Sequence, residues 1–507
     1  PFYILGTALI NFIFGASAFT ARFLPALAGT VLAGLPYLLR DQLGRRAALI
    51  LAFFLALDPG LLGSSVQAGS WILGPVCLLF ALVGWSLGKP VMAGIFAGLA
   101  CLGGPLVWPG VLGFGVAFLV SGYRVDLPAG APAFNWRTAG LAALASLGLM
   151  GTLFFLVPAG LSSAAASILA YFGGWGQTGG VSALLLVGAL IAYEALALVL
   201  GAGTVLRSLM RERSGIDTLL AIWWAAALIL ALVYPSRQVM DLIWVVVPTL
   251  ALAARRLDTM LSLPANDRLA VGGQAALITL LFLLLINLVI SWPQTEVSST
   301  NQLYRWLVLG LALVLLIAEA VLVAWGWSLK IALSGLAWGT AGVLALYTIS
   351  AGLHAAGLTP RWQAELWRSG PAFADEDLTV STVRDYTQWQ AQLRDTPQVV
   401  ISGLASPALR WALRDNPGLR VEDVLSTTAQ PEILLTSDLA NLQQSSSYTG
   451  QDLVLSTSPA WDLITPPEWI TWLFYRQVKA DAWQTQKMIL WVRADQFPGA
   501  PEQSNQP

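Results

Sequence analysis

Residues 1–62 read PFYILGTALINFIFGASAFTARFLPALAGTVLAGLPYLLRDQLGRRAALILAFFLALDPGLL, and this stretch decides the fold class. A membrane-spanning helix needs about 20 mostly apolar residues, fewer where its ends are buried in protein. Two such runs, 19–39 and 44–60, flank a turn that carries Arg40, Arg45 and Arg46. The residues before them, 1–15, are too short to span and hold Phe2, Tyr3, Phe12 and Phe14, which suits a helix lying along the membrane surface. The wider chain has the same character. Of its 507 residues, 56% are hydrophobic and 11% charged, against about 25% charged in ordinary soluble domains. The expected class is an α-helical polytopic membrane protein.

Ten further spans are expected at 71–88, 90–105, 108–122, 138–158, 181–201, 218–234, 239–254, 269–291, 305–326 and 331–353, about twelve in all. Charge tests this threading, because cytoplasmic loops retain Lys and Arg. With the first span running outside to inside, alternate turns collect 13 of the 16 basic residues that precede residue 354, from Arg40 to Lys330. Only Arg22, Arg237 and Arg305 fall on the other face. That face also receives the residues before 19, the loops near 58–70, 158–180, 234–238 and 292–304, and the whole C-terminal domain. A chain starting in the cytoplasm would then need one more span ahead of Pro1.

Two domains are expected. Residues 1–353 hold 16 basic and 11 acidic residues, a mildly basic membrane bundle, whereas 354–507 hold 11 and 17, an acidic extracytoplasmic domain. In the latter, amphipathic helices at 380–395 and 406–416 alternate with apolar strands at 398–403 and 419–423. The runs PEILLTS and DLVLSTS, the helix PPEWITWLFYRQV and the strand KMILWVRAD follow. Such alternation predicts a small α/β domain with a largely parallel sheet. A polar, proline-containing tail from about 498 is expected to be disordered.

The composition also excludes functions. No P-loop, GxSxG or HExxH pattern occurs, and nothing points to nucleic acid. With a single histidine, His354, and no CxxC pair, a His/Cys metal site is not expected. A divalent metal is left unassigned, and no cofactor is implied. The two cysteines, Cys77 and Cys101, lie in apolar runs.

Candidate functional residues are the polar groups on the extracytoplasmic side. Asp58 stands at a helix end, as a turn residue before Pro or as a catalytic acid. Arg237 and Asp241, in YPSRQVMDLIW (234–244), are four apart and would share a helix face, where they could pair with each other or offer Arg237 to an anionic phosphate. The segment PAGLSSAAASILAYFGGWGQTGG (158–180) reads as a surface loop anchored by Tyr171 and Trp175, or as a rim over a substrate cavity. Glu194 and Glu319 sit deeper in apolar runs. A structural role is favoured for both, and they are the sole support for a transporter.

The opening stretch resembles the GT-C superfamily of membrane glycosyltransferases, the group of protein mannosyltransferases and aminoarabinose transferases. The resemblance rests on its Pro-aromatic-aromatic start, the Phe-Gly pair, the Ala-Arg-hydrophobic-Pro-Ala segment around Arg22, the Gly-Arg-Arg turn and the helix ending at Asp58-Pro. PALRWALRDNPGLR (407–420), WITWLFYRQV (469–478) and MILWVRAD (488–495) are similar to elements of prokaryotic members. The resemblance implies a prokaryotic inner-membrane enzyme. Its donor would be a polyprenyl-phosphate-linked sugar, drawn from the membrane lipid, and its acceptor an extracytoplasmic glycan, lipid or protein. It implies that the catalytic acid lies in a first extracytoplasmic loop upstream of Pro1 and that Arg22 matches the family's arginine; for the tail domain, where no glycine-rich phosphate loop follows a strand, a binding or docking role with a protein partner is expected instead of nucleotide binding. SSVQAGSW (64–71) departs from the pattern, with Gln67 and Ser70 where charge is expected. This favours either use of Asp58, Arg237 and Asp241 or a non-catalytic scaffold of the same fold.

Overall fold

The computed structural model describes residues 2–123, 134–210, 215–261, 267–290, 299–359, 364–368, 370–393, 397–424, 430–437 and 448–494. The expected polar tail, most of the loop 292–304, and Arg124, Arg211 and Arg213 lie outside the described residues. The chain divides into two compact units, Pro1–Ser369 and Gly370–Pro507.

The first unit holds α1 (Phe2–Phe14), α2 (Ala18–Gly34), α3 (Arg40–Leu43), α4 (Arg45–Leu57), α5 (Pro59–Val66), α6 (Leu73–Ser86), α7 (Pro90–Cys101), α8 (Val107–Ser121), α9 (Trp136–Gly151), α10 (Ser162–Gly173), α11 (Ala183–Met210), α12 (Gly215–Val233), α13 (Ile243–Leu261), α14 (Arg268–Ile290), α15 (Ser299–Gly326) and α16 (Leu329–Ala355). Each of the twelve expected segments overlaps one of these helices. Among the described residues, six helices are long and apolar enough to cross a membrane, and a seventh arises if the bent pair α4 and α5 is one span. Helices α6, α7 and α8 are apolar but only 14, 12 and 15 residues long. Helix α9 stops at Gly151, short of the expected 158. Thr152 turns its hydroxyl back on the Gly148 carbonyl at 2.6 Å and accepts from the Phe155 amide at 2.9 Å, while Leu153, Phe154 and Phe155 take left-handed backbone angles.

Helix α5 is a hub of one end of this unit. Gly60 and Gly63 form a seat for Trp367, which is 1% exposed. A Cβ at Gly60 would stand 2.6 Å from the Trp367 indole, and one at Gly63 3.3 Å from the Trp367 Cβ. Gln67, which ends α5, donates to the Trp367 carbonyl at 2.6 Å and to the Gly63 carbonyl at 2.7 Å. Residues 364–368, assigned from sequence to the second domain, therefore pack as a strap within the helical unit. Buried tryptophan drives this return, and the apolar run that ends near 353 gives no sign of it.

The second unit holds β1 (Ala372–Phe373), α17 (Glu376–Leu393), β2 (Val399–Ser402), α18 (Pro407–Ala412), β3 (Leu419–Glu422), β4 (Ile433–Ser437), β5 (Tyr448–Pro459), α19 (Pro466–Tyr475) and β6 (Trp483–Arg493). The sheet order is β1-β5-β6-β4-β2-β3. Here the expected largely parallel sheet is corrected: β3, β2 and β4 are parallel, but β6 runs antiparallel to both β4 and β5, and β1 antiparallel to β5. Burial supplies the reason. Strand β2 and the first four residues of β4 are continuously buried, as parallel strands are, whereas β5 and β6 each open with exposed polar residues before alternating. Val399, Ile401, Ile433, Leu435, Met488 and Leu490 form the centre of the core. Helix α18 starts where Ser406 accepts from the Leu409 amide at 3.2 Å. Helix α19 starts with a reciprocal cap in which Glu468 accepts from the Thr465 amide at 2.9 Å and from its hydroxyl at 2.8 Å.

Two predictions follow from this packing. Trp367→Ala removes a buried anchor and should cost about 3–5 kcal/mol, and Gly60→Ala about 1–3 kcal/mol by overpacking. Both should lower the thermal midpoint of the detergent-solubilised chain, while Gly34→Ala, with open space at its Cβ, should leave it unchanged. In the second unit, Lys479 at 2.7 Å and the Thr465 donors hold the Glu468 carboxyl down to about 2. This stabilisation is fully present above the unfolded glutamate value of about 4.3 and is lost as pH falls through about 2. Glu468→Gln should therefore lower the urea midpoint for proteolysis within this unit at neutral pH, with the gap to the parent closing across that acid window.

Candidate functional site

The site begins where α4 breaks into α5. Asp58 precedes a proline, which disfavours helical backbone at that residue, and it takes an extended conformation instead. Its Oδ1 accepts from the Leu61 amide at 2.7 Å and caps α5, and the two helices meet at a 52° bend. Facing it is Glu194, where α11 departs from helical geometry (φ −107°, ψ 19°). Tyr347 of α16 donates to the Ala192 carbonyl at 2.6 Å beside this kink. Asp58 and Glu194, each 2% exposed, face each other within electrostatic reach. They border a cavity of about 90 Å³ otherwise lined mainly by apolar side chains, including Phe54, Leu57, Leu250 and Ile349. Asp58 thus stands where the α4–α5 elbow meets α11 inside the bundle.

One residue along, Tyr193 reaches the strap. Its hydroxyl donates to Glu365 Oε2 and accepts from the Leu366 amide at 3.0 Å. Its ring stands edge-on to Trp367 at 6.3 Å. The strap ends in Arg368, which lies within electrostatic reach of Arg22 on α2. Burial, followed by repulsion from the Arg22 guanidinium, pushes Arg368 down to about 10, with Glu365 acting in the opposite sense. Arg22 is exposed, in the second turn of a helix whose start is fixed by the reciprocal Ser17–Thr20 cap. Two guanidiniums within electrostatic reach of each other suit an oxyanion, which planar arginine forks bind bidentately.

A second group borders α5 through Ser64, whose hydroxyl donates to the sulfur of Met240 at 3.4 Å. Tyr171 of α10 stacks on Tyr234 at 4.9 Å, and Trp175 meets the same ring edge-on at 5.5 Å. Trp175 is 39% exposed and Tyr171 buried. Arg237 sends Nε to the Val181 carbonyl at 2.8 Å and Nη1 to the Leu232 and Tyr234 carbonyls, both at 3.2 Å. Asp241 accepts from the Gln238 amide at 2.8 Å. The shared helix face expected for Arg237 and Asp241 is not formed, because the helical turn begins only at Val239. Both charges instead clamp the loop.

The structure thus brings Asp58 and Gln67 to opposite ends of α5, with Gln67 joined to the strap that carries Arg368 towards Arg22. It gathers Tyr171, Trp175, Arg237 and Asp241 into a separate aromatic rim. Glu319 of α15 lies apart from Glu194, beside Gln274 in an apolar cavity of about 590 Å³ between α14 and α15. Among the described residues, no three His, Cys, Asp or Glu side chains converge as a metal site would require. Sequence reasoning missed Tyr193, Glu365, Trp367 and Arg368. The available signal was the mixed aromatic and charged run ELWR (365–368) just past the last apolar segment.

No protein-family profile matches the chain, and no curated protein sequence does. Two solved structures of ArnT from Cupriavidus metallidurans do. The apo form has a TM-score of 0.50, and the form bound to undecaprenyl phosphate 0.51. Each is 15% identical, over 86% of this chain and 82% of that one. The chain has the GT-C fold that its opening stretch resembles.

Proposed function

We propose that this chain is a membrane glycosyltransferase that moves a sugar from a polyprenyl-phosphate-linked donor to an extracytoplasmic acceptor. The observation that carries the reading is the Arg22–Arg368 pair, two like charges within electrostatic reach of each other. Such an arrangement is stabilised when a phosphate sits between them. A fold shared with a protein crystallised with undecaprenyl phosphate supports it. In this reading all twelve helical segments cross a prokaryotic inner membrane, and α5, the strap, the aromatic rim and the second unit face outward.

In the reaction the acceptor oxygen bonds to the anomeric carbon, and the bond from that carbon to the phosphate oxygen breaks. The electron pair leaves with the phosphate, where Arg22 and Arg368 stabilise the growing charge. Tyr193 and Glu365 hold the strap so that Arg368 is already aimed when the donor arrives, which is where preorganised charge acts most strongly. Trp175 and the Tyr171–Tyr234 stack form the rim against which donor or acceptor packs. The acceptor proton must pass to a base. Asp58 is assigned to the elbow rather than to that role, because its carboxyl faces Glu194.

A second reading, a non-catalytic scaffold of the same fold, draws on that engagement of Asp58 and on Gln67 being bonded to two backbone carbonyls. Lipid binding by the purified full chain separates the two, read as undecaprenyl phosphate retained in native mass spectrometry. Arg22→Ala and Arg368→Ala should each weaken binding about tenfold, the equivalent of one charge-assisted hydrogen bond, with Arg237→Ala close to the parent. Parent chain that binds no polyprenyl phosphate, or binding indifferent to both arginines in folded variants, would overturn the proposal.

A further inference from the structure

We infer that the face formed by α19 and the turn before it docks the second unit onto the lipid bilayer. After β5 the chain makes a helical turn, Trp461–Leu463, and lays it against α19. The Trp461 ring lies 5.6 Å from Trp469 and 5.3 Å from Trp472, and the last two are 5.3 Å apart. Trp472 is sealed in the interior, while Trp461 and Trp469 are half-buried at its edge. Outside them stand Leu463, 66% exposed, and Ile470, 53% exposed. A tryptophan-flanked patch of Leu and Ile is thus turned outward from a unit with a well-formed core of its own.

Three observations choose the bilayer as its occupant. Tryptophan with leucine or isoleucine is the side-chain set that settles at the boundary between head groups and acyl chains, and a helix with such a face lies in the plane of that boundary. The bilayer is also always within reach. Helix α16, long and apolar enough to cross a membrane, ends at Ala355, and Gly370 opens the second unit. The strap at 364–368 is packed on that same helical unit, so the second unit begins within a few residues of a membrane-crossing bundle. Finally, the charge balance selects the mode of contact. With 16 acidic against 9 basic residues from Gly370 onward, the unit is repelled by anionic lipid, and Glu468 on the patch helix is already bonded to Lys479. Insertion of apolar side chains, and not electrostatic adsorption, therefore holds it down.

The test uses the full chain in phosphatidylcholine nanodiscs, with Cys77 and Cys101 replaced by alanine and a single environment-sensitive label at Cys introduced for Leu463, Ile470 or Asp415. Asp415 is exposed elsewhere on the unit. Lipids spin-labelled near the head group should quench the labels at 463 and 470 about twofold and leave 415 unaffected. Raising NaCl from about 0.1 to 1 M, which shortens the screening length to about 3 Å, should change nothing. Labels at 463 and 470 no better quenched by lipid than 415 would overturn the inference, and so would shielding that follows protein density, the sign of a second copy. If the cysteine-free chain fails to fold, a photoreactive phenylalanine analogue at Ile470 in the native chain gives the same decision. Phospholipid adducts support docking, and exclusive protein or water adducts refute it.

Discussion

The seating of Trp367 on α5 is the contact on which this end of the helical unit depends. A full-size indole fits there only because Gly60 and Gly63 present no side chain, and Gln67 secures the strap by bonding its backbone from the end of α5. Once the indole is in place, Glu365 is delivered to Tyr193 and Arg368 to the neighbourhood of Arg22. None of these partners is close in sequence: the Gln67–Trp367 bond joins residues 300 apart. Burial of one large aromatic side chain is worth several kcal/mol, enough to offset the repulsion that a pair of arginines brings with it at a partly solvated surface.

Beneath this layer lies a second constraint of a different kind. Ionisable groups inside an apolar bundle are costly and need partners, and Asp58 and Glu194 border the same small cavity at the elbow. The elbow and the α11 kink meet there, and Tyr193, next to Glu194, takes its position from that meeting. The two carboxyl groups thus lie beside the strap's latch. The buried acid at the Asp58-Pro59 step serves architecture here, capping α5 at the elbow.

How much of this could be read in advance follows from the range of each interaction. The helices lie where apolar run length places them, since a spanning segment is a local property of some 20 residues. The opening stretch also pointed to the fold that the comparison with solved structures supports. The site was less legible. Arg237 and Asp241 satisfied the spacing for a helical pair, but Pro235 and the late start of the turn at Val239 keep them off a common helix. Arg368 and Trp367 fall between an apolar run and a soluble pattern, and only the tertiary contact with Gly60 assigns them to the bundle. The sheet was misread as largely parallel because helix α19 between two strands mimics a crossover. The exposed beginnings of β5 and β6 were the cue to an antiparallel ribbon.

The central claim is that the strap delivers Arg368 to Arg22 to make a phosphate site. A cryo-electron microscopy map of the full chain in lipid nanodiscs loaded with undecaprenyl phosphate tests it most directly. The account predicts phosphate density between the Arg22 and Arg368 guanidiniums, with Trp367 still seated on Gly60. Phosphate density held elsewhere, at Arg237 for instance, with Arg22 and Arg368 apart, would contradict it.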